Sequence, residues 1–171
     1  DPDGKLVIFI GGLRLKIGAG DQLSYHSQLK GARPGIYKDD ATLKGYWRSN
    51  KNSFGRKVKM DEAFMDKIGD HNAVYASGSS QWTSKAKQRF GEGKAKAEQF
   101  HAMVQSGQIK LEKDETIKIV CHSQGGAHAA GFAEQLMSYK DTEGKPLYKI
   151  EVIYYITPHQ PTQITNPAGV R

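Results

Sequence analysis

Residues 116–126 read Thr-Ile-Lys-Ile-Val-Cys-His-Ser-Gln-Gly-Gly, an apolar run that stops at a serine with small residues two positions to either side and then opens into an alanine-rich segment. Few local structures accommodate that order of residues: it predicts a strand, a sharp turn and a helix. Such a turn lifts the Ser123 hydroxyl clear of the sheet edge and leaves the Gln124 N–H free to donate to an oxyanion. A serine before an alanine-rich segment also matches a helix N-cap. A cap alone, however, does not require small residues on both sides.

The rest of the chain alternates strand with helix. Leu6-Val7-Ile8-Phe9-Ile10, closed by Gly11-Gly12, has the pattern of a buried strand entering a tight loop. Ala73-Val74-Tyr75-Ala76 gives a second short strand before Ser77-Gly78-Ser79-Ser80. Trp82, Ala86, Phe90, Ala97, Phe100 and Val104 then recur near helical spacing, although Gly91 and Gly93 argue against an unbroken helix, and Gly107 provides a stop. Beyond Ser123, a helix would carry Ala129, Phe132, Ala133, Leu136 and Met137 on its apolar face. Tyr148 to Ile156 follows as a strand ending at Thr157-Pro158. Strands separated by helices imply crossover connections and a mostly parallel sheet. Residues 18–59 are glycine-rich, basic and weakly periodic, and read as a long insertion with some short helix near Asp39 to Tyr46.

A length of 171 residues suits one domain, spanning 1–171, and a chain of that size buries about 70% of the surface its unfolded form exposes. The longest apolar runs, Leu6 to Ile10 and Val152 to Ile156, are too short to span a bilayer, and no basic-then-apolar leader precedes them. A domain without its own signal peptide or transmembrane segment is therefore expected. Cys121 is the single cysteine, which leaves no internal disulfide and no Cys-rich zinc site. His26, His71 and His101 show no metal-ligand spacing and are assigned no role. Neither a metal nor a cofactor is expected. Cys121, at the end of a buried strand, is expected to pack inertly, and His122 to line the cleft or pack beneath the turn.

The net charge is +7 and is densest from Lys44 to Lys59, where Tyr46, Trp47 and Phe54 are interleaved with basic residues. A solvated loop face is the favoured reading. An anionic membrane surface or nucleic acid would suit the same charge.

The spacing around Ser123 resembles the G-x-S-x-G nucleophile elbow of α/β-hydrolases, and residues 121–126 are similar to the H-S-Q-G-G version in lipases and esterases, with Cys121 at the first glycine. Gly11-Gly12-Leu13 occupies the place of the H-G-apolar segment that supplies half of the oxyanion hole in such lipases. Ile156-Thr157-Pro158-His159 resembles the T-P-H that closes their next strand. The resemblance implies a three-layer α/β-hydrolase-like fold and a serine hydrolase cleaving carboxylic esters, most plausibly of lipids. Ser123 would be the nucleophile, with the N–H groups of Gln124 and of Gly12 or Leu13 holding the oxyanion.

In that family the acid and the histidine follow the serine. Downstream here, His128 sits in the nucleophile helix on the wrong face, and Asp141, Glu143 and Glu151 do not follow strand ends as the family requires. A chain incomplete at its C-terminus, with acid and histidine beyond it, is expected; the alternative is a diverged site in which His159 serves as base.

Asp1-Pro2-Asp3-Gly4 resembles the D-P-x-G that closes the shell of Rhs and YD-repeat proteins ahead of their C-terminal toxin domains. That implies a secreted or delivered effector with a cognate immunity protein. Two rivals remain: a basic nucleic-acid-targeting toxin, for which no phosphodiester-cleaving constellation or binding module is seen, and a catalytically inactive hydrolase fold that only binds.

Overall fold

The computed structural model describes residues 5–12, 23–26, 40–48, 58–80, 84–112 and 114–171. Among the described residues five strands form one sheet: β1 (Lys5–Gly11), β2 (Leu23–His26), β3 (Asn72–Ser77), β4 (Thr116–His122) and β5 (Lys149–Ile156). Their order is β2-β3-β1-β4-β5. β3, β1, β4 and β5 run parallel, and β2 pairs antiparallel on the β3 edge. The mostly parallel α/β sheet expected from the alternating apolar runs is present.

Helices cover both faces, and the pleat of β1 shows why. Leu6, Ile8 and Ile10 turn to one side, where they pack with Phe100 and Ala97 of α3 (Ala86–Gln105) and with Phe132, Ala133 and Leu136 of α4 (Gly125–Ser138). Val7 and Phe9 turn to the other side, against Leu43 and Trp47 of α1 (Asp40–Arg48) and Met65 of α2 (Met60–Ile68). A segment buried on both faces is expected to be apolar, and Leu6–Ile10 of β1 is. The arrangement is compatible with a three-layer α/β fold.

Several expectations are revised. The helix through Phe90 and Phe100 starts at Ala86 and runs unbroken through Gly91 and Gly93; Trp82 lies outside the described residues. Within 18–59, the described secondary structure is β2, which extends the sheet, and α1, which closes one face of the core. The solvated-face reading of the Lys44–Lys59 stretch is corrected where α1 carries it. Trp47 is 2% exposed and packs on Phe9 with ring centroids 5.2 Å apart. Arg48 pairs with the buried Asp61 and with Glu62, each at 2.8 Å. The aromatic residues of this helix turn inward because Leu43, Tyr46 and Trp47 fall three and four positions apart on one side of it. Phe54 lies outside the described residues.

Residues after β5 fold back on the domain. The Ile153 N–H donates to the Arg171 carbonyl at 2.8 Å, on the outer edge of β5. No helix among the described residues is long and apolar enough to cross a membrane.

Candidate active site

From β1 the chain moves to β3 on one side, then crosses back to β4 on the other. The order therefore reverses between β1 and β4, the place where open α/β sheets form a crevice at the carboxyl ends of their strands. Gly12 follows β1 there and Ser123 follows β4.

Ser123 has φ 53°, the left-handed region, at the step from β4 into α4. A residue with a Cβ adopts this conformation at a cost of about 1 kcal/mol or more, so the surroundings must impose it. The Ser123 N–H donates to the Ile156 carbonyl at 3.1 Å, and its own carbonyl accepts from Gly126 N–H at 3.2 Å and His159 N–H at 2.9 Å. Helix, strand end and following loop thus all hold the one residue. The turn also needs bare backbone beside it. A Cβ on Gly125 would lie 2.5 Å from the Ile10 carbonyl oxygen, and one on Gly12 would lie 2.8 Å from Ser123 Cβ. No described residue hydrogen-bonds the Ser123 hydroxyl or accepts from the Gln124 N–H, as is usual for a first-turn amide. Cys121, two residues before Ser123, is fully buried, and burial pushes its thiol far above the ordinary value. Packing is its role, as expected.

Beneath the elbow lies a polar network that the sequence does not reveal. His128 is fully buried, with Nδ1 3.3 Å from the Gln124 carbonyl oxygen and Nε2 3.0 Å from Glu92 Oε2. Glu92 also accepts from Ser80 Oγ at 3.1 Å and Gln88 Nε2 at 3.0 Å. The Gln124 side-chain oxygen accepts from the Ser80 N–H at 3.2 Å. Both ends of Gln124 are therefore anchored, which fixes the amide that follows Ser123. His128 faces α3 rather than the serine, as expected of its helical position. The family pattern directs a search for acids downstream of Ser123, whereas Glu92 lies upstream on α3.

The bond from His128, with those from Gln88 and Ser80, holds the Glu92 carboxyl down at about 2, against 4.5 normally. A carboxylate depressed in this way adds stability above pH 4.5 that is lost as pH falls through about 2. Glu92→Gln is accordingly expected to cost about 1–2 kcal/mol at neutral pH, a figure discounted for the carboxylate's partial exposure. In urea titrations the gap between variant and parent should close as pH drops below 4.5. An equal gap at both ends of the pH range would show that the charge is not what stabilises.

His159 comes to the elbow through its backbone, but its imidazole is exposed and has no hydrogen-bond partner among the described residues. The loop that carries it is tied down beside it. Buried Arg89 donates to the Ser84 carbonyl, to Ser84 Oγ at 3.0 Å and to Gln160 Oε1 at 2.6 Å. Leu13 lies outside the described residues. Next to Ser123, two residues 76 positions apart in the chain are paired: the Tyr46 hydroxyl lies 2.5 Å from His122 Nδ1. Burial lowers the His122 pKa from its ordinary value, which favours the neutral ring. Among the described residues no group of three or more His, Cys, Asp or Glu side chains could hold a metal ion.

Comparison of the chain with protein-family models, with curated proteins and with solved structures finds no match. The site must be read from its own geometry.

Proposed function

We propose that the protein is a serine hydrolase acting on carboxylic esters, with Ser123 as the nucleophile. One observation carries this reading: a non-glycine residue held at φ 53° between strand and helix, at the switch point of the sheet. Strained backbone persists where surrounding structure over-determines it, and such positions cluster at active sites. An N-cap serine needs only extended backbone, so the simpler role does not account for the conformation. Support for an oxyanion site comes from the Gln124 N–H, from which no described residue accepts, and from the backbone at Gly12 beside Ser123 Cβ.

Lipid esters are the favoured substrates within this reading, and the support for them is the similarity of residues 121–126 and 156–159 to lipase motifs. Delivery as a toxin domain, with an immunity protein as partner, rests on Asp1-Pro2-Asp3-Gly4 alone. The nucleic-acid reading loses ground because the basic stretch spends Arg48 on Asp61 and Glu62, and Lys59 on Glu62 at 3.0 Å.

A fluorophosphonate probe tests the proposal directly. The protein is expected to be labelled at one residue, identified as Ser123 by peptide mass spectrometry, and Ser123→Ala is expected to abolish labelling. A folded protein that takes up no probe, or takes it up equally after Ser123→Ala, would overturn the hydrolase reading.

A further inference from the structure

A serine at this position still needs a proton acceptor, because the hydroxyl is a weak nucleophile at its ordinary pKa. α1 brings one. Leu43 and Trp47 anchor that helix in the core. Tyr46 packs edge-on to Trp47, with centroids 5.6 Å apart, and lies over Gly11, where a Cβ would sit 2.9 Å from the tyrosine Cδ1. The ring is thus fixed and its hydroxyl reaches the strand ends. The point a Cβ on Gly12 would occupy is 2.6 Å from Tyr46 Oη and 2.8 Å from Ser123 Cβ. The tyrosine oxygen and the serine Cβ therefore flank the same point beside Gly12. Behind the tyrosine, His122 Nδ1 completes a short hydrogen bond of 2.5 Å.

We propose that Tyr46 and His122 together form the proton-accepting pair for Ser123, an inference that rests on the serine hydrolase reading above. Ser123 Oγ bonds to the ester carbonyl carbon as its O–H bond breaks. The serine proton goes to Tyr46 Oη while the tyrosine's own proton passes to His122 Nδ1, leaving an imidazolium, and the carbonyl π pair moves onto oxygen. When the tetrahedral intermediate collapses, the proton returns through Tyr46 to the departing alkoxide. No free tyrosinate is needed, and charge appears only on the imidazole and the oxyanion. The geometry favours this pair over His159, whose ring has no orienting partner among the described residues. A base in a nucleophile–base pair is held by a third group.

The test is the rate of fluorophosphonate labelling at Ser123 as a function of pH. In that reaction the P–O bond forms, fluoride leaves with its electron pair, and the serine proton must again be taken up. Tyr46→Phe keeps the ring contacts with Trp47 and Gly11 and removes only the hydroxyl; His122→Leu removes the terminal acceptor. Each is expected to slow labelling about 100-fold or more while thermal unfolding of Tyr46→Phe stays near that of the parent.

The parent rate should fall on the acid side, below pH 6.5, as His122 gains its proton. Tyr46 is the titratable group that bonds this ring among the described residues, and burial is the cause of its lowered pKa. Both variants should lose the acid-side fall, a change that a merely structural role would not produce. Labelling of Tyr46→Phe at the parent rate would overturn the pair and leave Ser123 as nucleophile with another base. Slow Tyr46→Phe beside parent-rate His122→Leu would overturn the relay. No labelling of the parent would remove the hydrolase reading and the pair with it.

Discussion

Gly131→Ala and Gly93→Ala are each expected to destabilise the protein by about 3 kcal/mol, because the added methyl has no room to form. Helices α3 and α4 cross so closely that a Cβ on Gly131 would lie 2.8 Å from the Phe90 carbonyl carbon and closer still to its oxygen. A Cβ on Gly93 would lie 2.8 Å from both Cα and the carbonyl carbon of His128, again closer to the oxygen. The obstructing atoms are backbone, so no rotamer change relieves either clash. The cost also reaches the site, since α3 carries Glu92 and Arg89 and α4 begins at the elbow. Gly91 supplies the internal control. It sits in the same helix with nothing within 4 Å of its missing Cβ. Gly91→Ala should therefore gain about 0.5–1 kcal/mol from helix propensity and reduced backbone entropy. Urea unfolding of the three variants would place Gly91→Ala above the parent and the other two well below it. If all three gained stability, propensity rather than close approach would govern the glycines of α3 and α4.

The two glycines show where sequence reasoning reached its limit. Gly91 and Gly93 look alike in the chain, and both lower a helix assignment made from propensity. What separates them is the partner helix, which local sequence does not display. The four parallel strands are legible because burial on both faces favours apolar runs, as in Leu6–Ile10 and in Ile119–Cys121 beyond Lys118. β2 was not: Leu-Ser-Tyr-His is short, polar at alternate positions and set in a glycine-rich basic segment, and it becomes a strand by pairing with β3. α2 is not legible because Met-Asp-Glu-Ala-Phe-Met-Asp-Lys-Ile spans only about two and a half turns and is charged on its open side.

The same division runs through the site. Ser123 and Gln124 could be named in advance because strand, turn and helix are consecutive. His122 was placed in the cleft or beneath the turn, but its bond to Tyr46 spans 76 residues, and the Glu92–His128 bond spans 36. Long-range polar pairs of this kind follow from the topology, which determines which strand ends and helix starts come together. Periodicity records only which side of an element faces the core.

Ser123→Gly is expected to raise stability while removing activity, and comparison with Ser123→Ala separates the two effects. Labelling and ester hydrolysis should vanish in both variants, since loss of the nucleophile costs a hydrolase several powers of ten in turnover. Stability should differ. At φ 53° the alanine variant keeps a Cβ in a left-handed conformation, whereas glycine adopts it without steric strain. Against that stands the greater freedom glycine gives the unfolded chain, which offsets part of the gain. The hydroxyl itself has no hydrogen-bond partner among the described residues, so its removal should change little in either variant. The net expectation is a glycine variant more stable than the alanine variant by about 1 kcal/mol, or roughly 2–4 °C in melting temperature for a domain of this size. Equal melting temperatures would show that the backbone at Ser123 is not held in strain, and would take away the observation on which the nucleophile reading depends. A higher melting temperature for Ser123→Gly would mean that the chain accepts lower stability at the residue its chemistry needs, the trade expected where a fold holds a reactive group in place.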